Sequence, residues 1–404
     1  MSVSTHTPSS NRSVRLKLTP SERKASMALA LLFASRMLGL FLLTPVFTVA
    51  AQSLVGGDDA LRVGLALGAY GLTQAVFQIP LGMASDRFGR RPVILFGMAL
   101  FILGGVVCAL AGSVDGVTVG RVIQGVGAVS AAITAWVADA TRPEVRTRAM
   151  AMVGGSIGLS FAASLVLSPV LVGEFGLSGL FWAISLLGFV CLLIAAFVVP
   201  VVPMAQVVMS AARPRDVLRH AGLLKLNFGV FCLHFILMSL FIVAPRLLAG
   251  LGGYETATLW QVYLPVILLS FVFMVPVVFY TETRRVHQRA LWFSVVGLAL
   301  MLAAMPWARS GFYPFVAALT GFFVAFNVLE ALQPSLVSRE APPEYKGLAL
   351  GFYNTSQSLG VFMGGALGGA LVARLGADAV FFMCAGVAAL WAVAARPSRS
   401  AAAA

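Results

Sequence analysis

The sequence predicts an all-α polytopic membrane protein, with 12 transmembrane helices in two pseudo-symmetric six-helix bundles. Three observations carry that expectation: the composition, a regular alternation of long apolar runs with short polar breaks, and a repeat relating the two halves of the chain. Hydrophobic residues fill 59% of the 404 positions, charged residues only 11%, and the mean hydropathy is +0.94. A soluble domain has no use for so much apolar surface. A helix crossing about 30 Å of hydrocarbon takes roughly 20 apolar residues, so a chain of this length holds about a dozen.

The first apolar run, near residues 27–51, follows a stretch rich in Ser, Thr and Arg that reads as a disordered tail. It is too long and too far into the chain for a cleaved signal peptide. Further runs lie near 61–83, 92–112, 117–138, 148–172 and 177–200. A polar stretch containing RPRDVLRH separates these from six more, near 223–249, 256–280, 289–308, 312–337, 347–373 and 377–395. The division expected is a cytoplasmic tail over 1–24, an N-terminal six-helix bundle over 25–200, a cytoplasmic linker over 201–222, a C-terminal six-helix bundle over 223–396 and a second tail over 397–404.

Orientation follows from the basic residues, because cytoplasmic loops collect Lys and Arg. Most of the 28 lie in the tails, the linker and the loops near 82–94, 141–148, 283–289 and 346, while the opposite loops hold Arg62, Arg246, Arg309 and Arg374. Both termini are therefore expected on the cytoplasmic side of the cell's inner membrane. The same distribution accounts for the net charge of +13, so no nucleic-acid partner is expected.

Adding 200 to the residue number lays the second half over the first. Pro45 meets Pro245, Pro143 and Glu144 meet Pro343 and Glu344, Arg146 meets Lys346, Ala149 meets Ala349, Gly176 meets Gly376, and Phe181 meets Phe381. With a four-residue gap, Pro80 and Asp86 fall on Pro276 and Glu282. Proline at the end of a span is common, but one offset shared across several spans marks a duplicated bundle. Duplicated bundles joined in this way place a central site between the halves.

The loop GMASDRFGRRPVI at 82–94 packs Asp86, Arg87, Arg90 and Arg91 between apolar segments. Three arginines hold such a loop in the cytoplasm, which explains the basic charge but neither the aspartate nor the glycines. Gly82 leaves room for another helix to approach, Gly89 is free to take the left-handed backbone of a tight turn, and Asp86 suits the positive start of a neighbouring helix. The loop resembles the signature G-x-L-A-D-R-x-G-R-K-x-x-L between helices 2 and 3 of the major facilitator superfamily. It matches at Gly82, Asp86, Arg87, Gly89, Arg90 and Arg91 and departs at Ala84 and Ser85. RVIQGVGA at 121–128 resembles the family's helix 4 signature R-x-x-Q-G-x-G-A at every fixed position. SRMLGLF, YGLTQAVFQIP, LLKLNFGVFCLH, FFVAFNVLEALQPSL and YKGLALGFYNTSQSLG are similar to the YajR-type branch of that family.

The resemblance implies the major facilitator fold and a secondary transporter. It also implies partners for the loop: the motif aspartate faces the start of helix 11, here Gly347 and Gly351, and a motif arginine reaches the acidic end of helix 4, here Asp139. Contacts of this kind exist only when the halves meet on the cytoplasmic side, so the set is expected to act as a conformational latch for the outward-open state. The branch includes members with an extra soluble domain after helix 12, whereas this sequence stops at RPSRSAAAA.

At 1.5 Å per residue, Arg36, His234 and Glu330 each lie roughly 13 Å into their spans, near the midplane. Charge at that depth is rare and faces a cavity or a partner. Glu330 is the first candidate for proton coupling, because protonation of a carboxylate there follows the surroundings that each conformation gives it. The alternative is a permanent pair with a buried cation. His234 is the second candidate, since imidazole titrates near pH 6.5; its alternative is hydrogen-bonded packing. Arg36 is open between a substrate anion site, a counter-charge for Glu330 and an interhelical tether. Arg121 resembles the helix 4 arginine that the family associates with proton coupling. Gln74, Gln78, Gln124, Asn227, Asn327, Asn354 and Gln357, with Tyr70, Phe231 and Tyr353, form a mixed polar and aromatic cavity or join helices to one another.

The family's antiporter signature in helix 5, G-x-x-x-G-P-x-x-G-G, reads SLVLSPVLVG here. Pro169 and Gly173 are kept, and Ser164, Ser168 and Val172 stand where the signature has glycine. No phosphate-binding G-x-x-x-x-G-K-S/T loop is present, nor a metal-ligand cluster or a nucleophile-base spacing, so an enzyme is not expected. Cys108, Cys191, Cys232 and Cys384 fall inside apolar runs, where free cysteine behaves as a small hydrophobe; no disulfide, metal site or cofactor is expected. The sequence points to proton-coupled efflux (antiport) of a small organic molecule by alternating access. A uniporter, or a membrane sensor that kept the fold without transporting, are the alternatives. The partners expected are a small-molecule substrate, protons and the lipid bilayer, with the chain a monomer.

Overall fold

The computed structural model describes residues 18–127, 129–199, 214–342 and 346–397. Most of the expected tails and linker, and the repeat positions Pro343 and Glu344, lie outside the described residues.

The first helix, α1 (Pro20–Phe41), starts earlier than the apolar run because a capping box precedes it. Thr19 Oγ1 accepts from the Glu22 N–H at 3.2 Å and the Glu22 carboxylate accepts from the Thr19 N–H at 2.8 Å, satisfying two donors that a helix start leaves open. The other Glu22 oxygen accepts from Arg142 Nε at 2.8 Å, which ties the start of α1 to the turn before α7. The helix also ends sooner than expected. Pro45 offers no N–H, and the chain turns over 42–46 before the short α2 (Phe47–Ala50).

Two long helices follow, α3 (Ala60–Phe88), capped by Asp59, and α4 (Arg90–Leu110). The expected fourth span is divided into α5 (Val114–Val126) and α6 (Ser130–Asp139), with Gly127 off the helical path at ψ 28°. α7 (Pro143–Leu193) covers the fifth and sixth spans and bends at Gly176, whose φ of 67° and ψ of −178° lie in a region essentially restricted to glycine. Gly376, its partner in the repeat, adopts φ 81° and ψ −176° at the equivalent junction of the second half.

The short α8 (Pro214–Arg219) leads into α9 (Ala221–Gly252), α10 (Trp260–Arg284), α11 (His287–Ala308), α12 (Phe312–Glu340), α13 (Lys346–Leu375) and α14 (Ala377–Ala394). Among the described residues, 11 helical stretches are long and apolar enough to cross a membrane. One of them runs 47 residues from Met152 to Val198 through the Gly176 bend and is long enough to cross twice, consistent with the twelve crossings expected. α1 to α7 pack as one bundle and α9 to α14 as the other.

The bundles interlock at the end away from the arginine-rich loops. There α3 and α13 approach until their main chains touch. A Cβ on Gly64 would overlap the Gly365 carbonyl, and one on Gly365 would overlap the Gly64 carbonyl. Small residues permit this approach. At the arginine-rich end, a Cβ built on Gly347 or Gly351 of α13, or on Gly154, Gly155 or Gly158 of α7, meets nothing within 4 Å.

Candidate functional site

Two clusters of buried polar groups lie in the spans, one in each bundle. In the first, Arg36 on α1 is fully buried and donates to Ser130 Oγ on α6, to Tyr70 Oη at 2.6 Å and to Gln74 Oε1 at 3.2 Å, both on α3. It thereby ties α1 to α3 and α6. Gln74 in turn donates to Gln78 at 3.4 Å. Arg121 on α5, also buried, donates to Gln124 Oε1 at 3.1 Å and the Gly39 carbonyl at 3.4 Å, and its guanidinium lies 4.7 Å from the Tyr70 ring centre. Both cations are thus met by neutral oxygens and an aromatic face. Stacking a cation on a ring contributes about 2 kcal/mol when water is excluded.

The second cluster joins α9, α12 and α13. His234 Nδ1 lies 3.1 Å from the Val230 carbonyl, which can only accept, so Nδ1 carries the proton. In the neutral ring Nε2 is then an acceptor, and it lies 2.6 Å from Gln357 Nε2 and 3.7 Å from Glu330 Oε2. The Glu330 side chain is 21% exposed, whereas that of His234 is 2% exposed. Glu330 Oε2 and the buried Tyr353 hydroxyl make no hydrogen bond among the described residues.

The remaining cavity candidates divide. Asn327 donates to Ser270 Oγ at 2.8 Å and links α12 to α10. Phe231 stacks on Phe235 with ring centres 6.0 Å apart, and its main chain touches Gly360. Asn227 is buried, and Asn354 accepts from Ser358 through its carbonyl rather than its side chain.

Between the clusters and the interlocked end lies an aromatic plug that sequence reasoning missed. Phe161 of α7 meets Phe326, Phe323 and Phe241 of the other bundle at ring-centre distances of 5.6, 5.9 and 6.4 Å, and Phe41 of its own at 5.2 Å. His234 lies against the same Phe326 at 6.2 Å. Phenylalanine in an apolar span gives no sign of whether it faces lipid or a partner bundle, so no signal was available. Arg246 of α9 was likewise missed. It crosses to the other bundle and donates to the carbonyls of Thr48 at 2.7 Å and Gly57 at 3.3 Å, while Tyr263 reaches the Pro45 carbonyl at 3.3 Å.

At the opposite end the signature loop folds on itself. Gly89 takes φ 93° and ψ 153° between α3 and α4, and the tight turn swings Arg90 back so that it bridges Asp86 and Asp139 Oδ2, the latter at 2.9 Å. Arg90 also donates to Ser85 at 2.8 Å, so the serine that departs from the signature has a partner. Arg91 donates to the Ala195 carbonyl, and Arg87 lies over the Phe88 ring. Asp86 is held by Arg90 in this conformation, and the faces of Gly347 and Gly351 are open; the expected contact with α13 is not made. Gly82 packs near Ala131 of α6 instead.

The family model of the Major Facilitator Superfamily matches residues 29–365 and 315–403. The chain is 44% identical over 380 residues to the inner membrane transport protein YajR of Escherichia coli (strain K12), covering 93% of this chain and 83% of that one. It is 30% identical over 179 residues to the tetracycline resistance protein, class B, of Escherichia coli, covering 44% of each. A solved bacterial homolog of the human lysosomal transporter Spinster, in an inward-facing and unoccupied conformation, superposes with a TM-score of 0.73 at 16% identity over 94% of this chain and 98% of that one. At that identity the likeness is one of fold. With two bundles, the signature loop and the helix 4 motif in place, the chain belongs to the Major Facilitator Superfamily, close to its YajR branch.

Proposed function

We propose that this chain is a proton-coupled secondary transporter of the inner membrane, exporting a small organic molecule in exchange for protons by alternating access. The observation that carries the reading is the His234–Glu330 pair, set near mid-span beneath the aromatic plug and partly exposed on the Glu330 side. With the arginine-rich loops in the cytoplasm, the conformation described is inward-facing and the pair is reached from the cytoplasmic side. Rocking the bundles parts the plug and closes the arginine-rich end, which turns the same pair toward the other compartment. A proton taken up there and released here then drives the carrier round, with substrate moving the opposite way. The partial likeness to a tetracycline resistance protein supports a small organic molecule as cargo.

In this reading Gly82, Asp86, Arg87, Gly89, Arg90, Arg91, Asp139, Gly347 and Gly351 form the latch of the outward-facing state. Arg121, Arg36 and the glutamines of α3 and α5 form the polar wall of the first bundle, as the His234–Glu330 pair does that of the second. One feature favours uniport as the second reading: Ser164 and Ser168, standing where the antiporter signature has glycine, spend their hydroxyls on the carbonyls of Phe161 and Ser164 within α7.

A thermal-shift screen of small organic molecules, tetracycline among them, supplies a substrate for proteoliposomes bearing a pH gradient. Glu330→Gln is expected to abolish uphill flux while downhill exchange persists. Uphill transport with unchanged proton dependence in that variant overturns the coupling assignment, and wild-type flux that carries no protons establishes the uniporter.

A further inference from the structure

A groove on the outer side of the C-terminal bundle points to a ligand that is not the transported molecule. α10 and α11 each pack along α12 but hardly on each other, and between them lies a cavity of about 750 Å³, within the usual range of ligand pockets. Its walls include Phe273, Val277 and Phe293, all more than a third exposed. Space for it exists at Gly297, where a Cβ would meet nothing within 4 Å. Of the hydroxyls that border the groove, Thr281 is spent on the Val277 carbonyl at 2.7 Å and Thr320 on the Val316 carbonyl at 2.8 Å, so apart from Ser294 the walls below the mouth are hydrocarbon.

The mouth is different. The groove runs up to Arg289, and the turn beside it carries Arg284 and Arg285, both exposed, with Arg285 in the left-handed conformation that ends α10. The nearby Glu282 is already paired with Arg339 at 2.9 Å and His287 at 3.2 Å, so Arg284 and Arg285 leave the turn at the mouth basic. Tyr280, 59% exposed, stands at the same level, where amphipathic rings mark the edge of the hydrocarbon.

We propose that this groove binds one anionic phospholipid of the cytoplasmic leaflet, with an acyl chain between α10 and α11 and its phosphate among Arg284, Arg285 and Arg289. An apolar slot closed at one end by basic charge fits that amphiphile and fits neither a neutral lipid nor a free anion. Cytoplasmic leaflets are rich in anionic lipid, and each basic residue near their surface contributes about 1 kcal/mol, or about fivefold in affinity.

Native mass spectrometry of the full chain in micelles doped with phosphatidylglycerol or with phosphatidylcholine of the same acyl chains tests the assignment. The wild type is expected to retain one phosphatidylglycerol in preference to phosphatidylcholine. Arg289→Gln should lower that retention about fivefold and leave phosphatidylcholine unchanged. Gly297→Leu, which fills the slot where there is room for a side chain, should reduce retention of the lipid with all three arginines present. Equal retention of the two lipids by the wild type, retention unaffected by both substitutions, or displacement by inorganic phosphate alone overturns the proposal. Thermal melting of each variant separates loss of lipid from loss of fold.

Discussion

Tyr70 illustrates how single residues carry the buried charge of the first bundle. Its ring faces Arg121 and its hydroxyl accepts from Arg36, so Tyr70→Phe keeps the stacking and removes one acceptor from a fully buried guanidinium. Hydrogen bonds to charged groups contribute about 1.5–3 kcal/mol, whereas neutral interhelical bonds in membranes average about 0.6 kcal/mol. Tyr70→Phe is therefore expected to lower the melting temperature of the detergent-solubilised chain more than Asn327→Ala, which breaks the bond to Ser270. The reverse order would show that Arg36 does not depend on Tyr70 for its acceptor. Sequence could identify Arg36, Tyr70, Gln74 and Gln78 as polar groups in apolar spans, but not their pairings. Ser130 carried no signal, because a serine in a helix usually bonds its own backbone and only the tertiary fold brings it to Arg36.

At the scale of elements, the apolar runs made the spans legible and left their ends obscure. The start of α1 lies in polar sequence, where a capping box decides it, and the break between α5 and α6 falls inside a run that hydropathy treats as continuous. The glycine pair of the repeat was legible as a match, and its reason emerges in the backbone: both positions occupy a conformation that other residues adopt at a cost of about 1–3 kcal/mol. Gly176→Ala should destabilise the chain by about that amount in thermal melts; an unchanged melting temperature would mean that the bend has another cause.

The contact of α3 with α13 supports a sharper expectation. Gly365→Leu cannot be accommodated while the two main chains touch, so the interlocked end must open. A Val361→Cys probe, on a residue now buried beside Gly71, should label several-fold faster in the Gly365→Leu background. Equal labelling would show that the helices separate freely there in the parent.

Across the whole molecule, the duplication extends to the ends of the bundles. Glu282 and Arg339 occupy the places that Asp86 and Asp139 hold in the first half, and the ion pair they form at 2.9 Å fills the position where Arg90 joins the two aspartates. Exposed pairs of this kind contribute about 0–1 kcal/mol, too little to fix a conformation alone. The proposed latch therefore rests on what Asp86 gains at the start of α13 when the arginine-rich end closes. Asp86→Asn should enrich the conformation described here, raising the accessibility of cysteines introduced around Gly347; labelling identical to the parent would remove the latch. The two-bundle plan was legible because duplication leaves landmarks along the chain. The plug and the cross-bundle bonds were not, since they depend on how far the halves have rocked.

The bonds made by Arg246 place one constraint on any driving force. A guanidinium stays charged at every physiological pH, and the oxygens of Thr48 and Gly57 that receive it belong to peptide bonds. Neither acceptor changes with pH, and substitution at residue 48 alters a side chain without deleting the acceptor, whereas Gly57 has no room for a side chain because a Cβ there would overlap the Ala51 carbonyl. The exposed carboxylate of Asp58 lies close enough for its charge to act on Arg246, so each end of the molecule, this clasp and the loop of Asp86 and Asp139, keeps an acidic group within reach of protons.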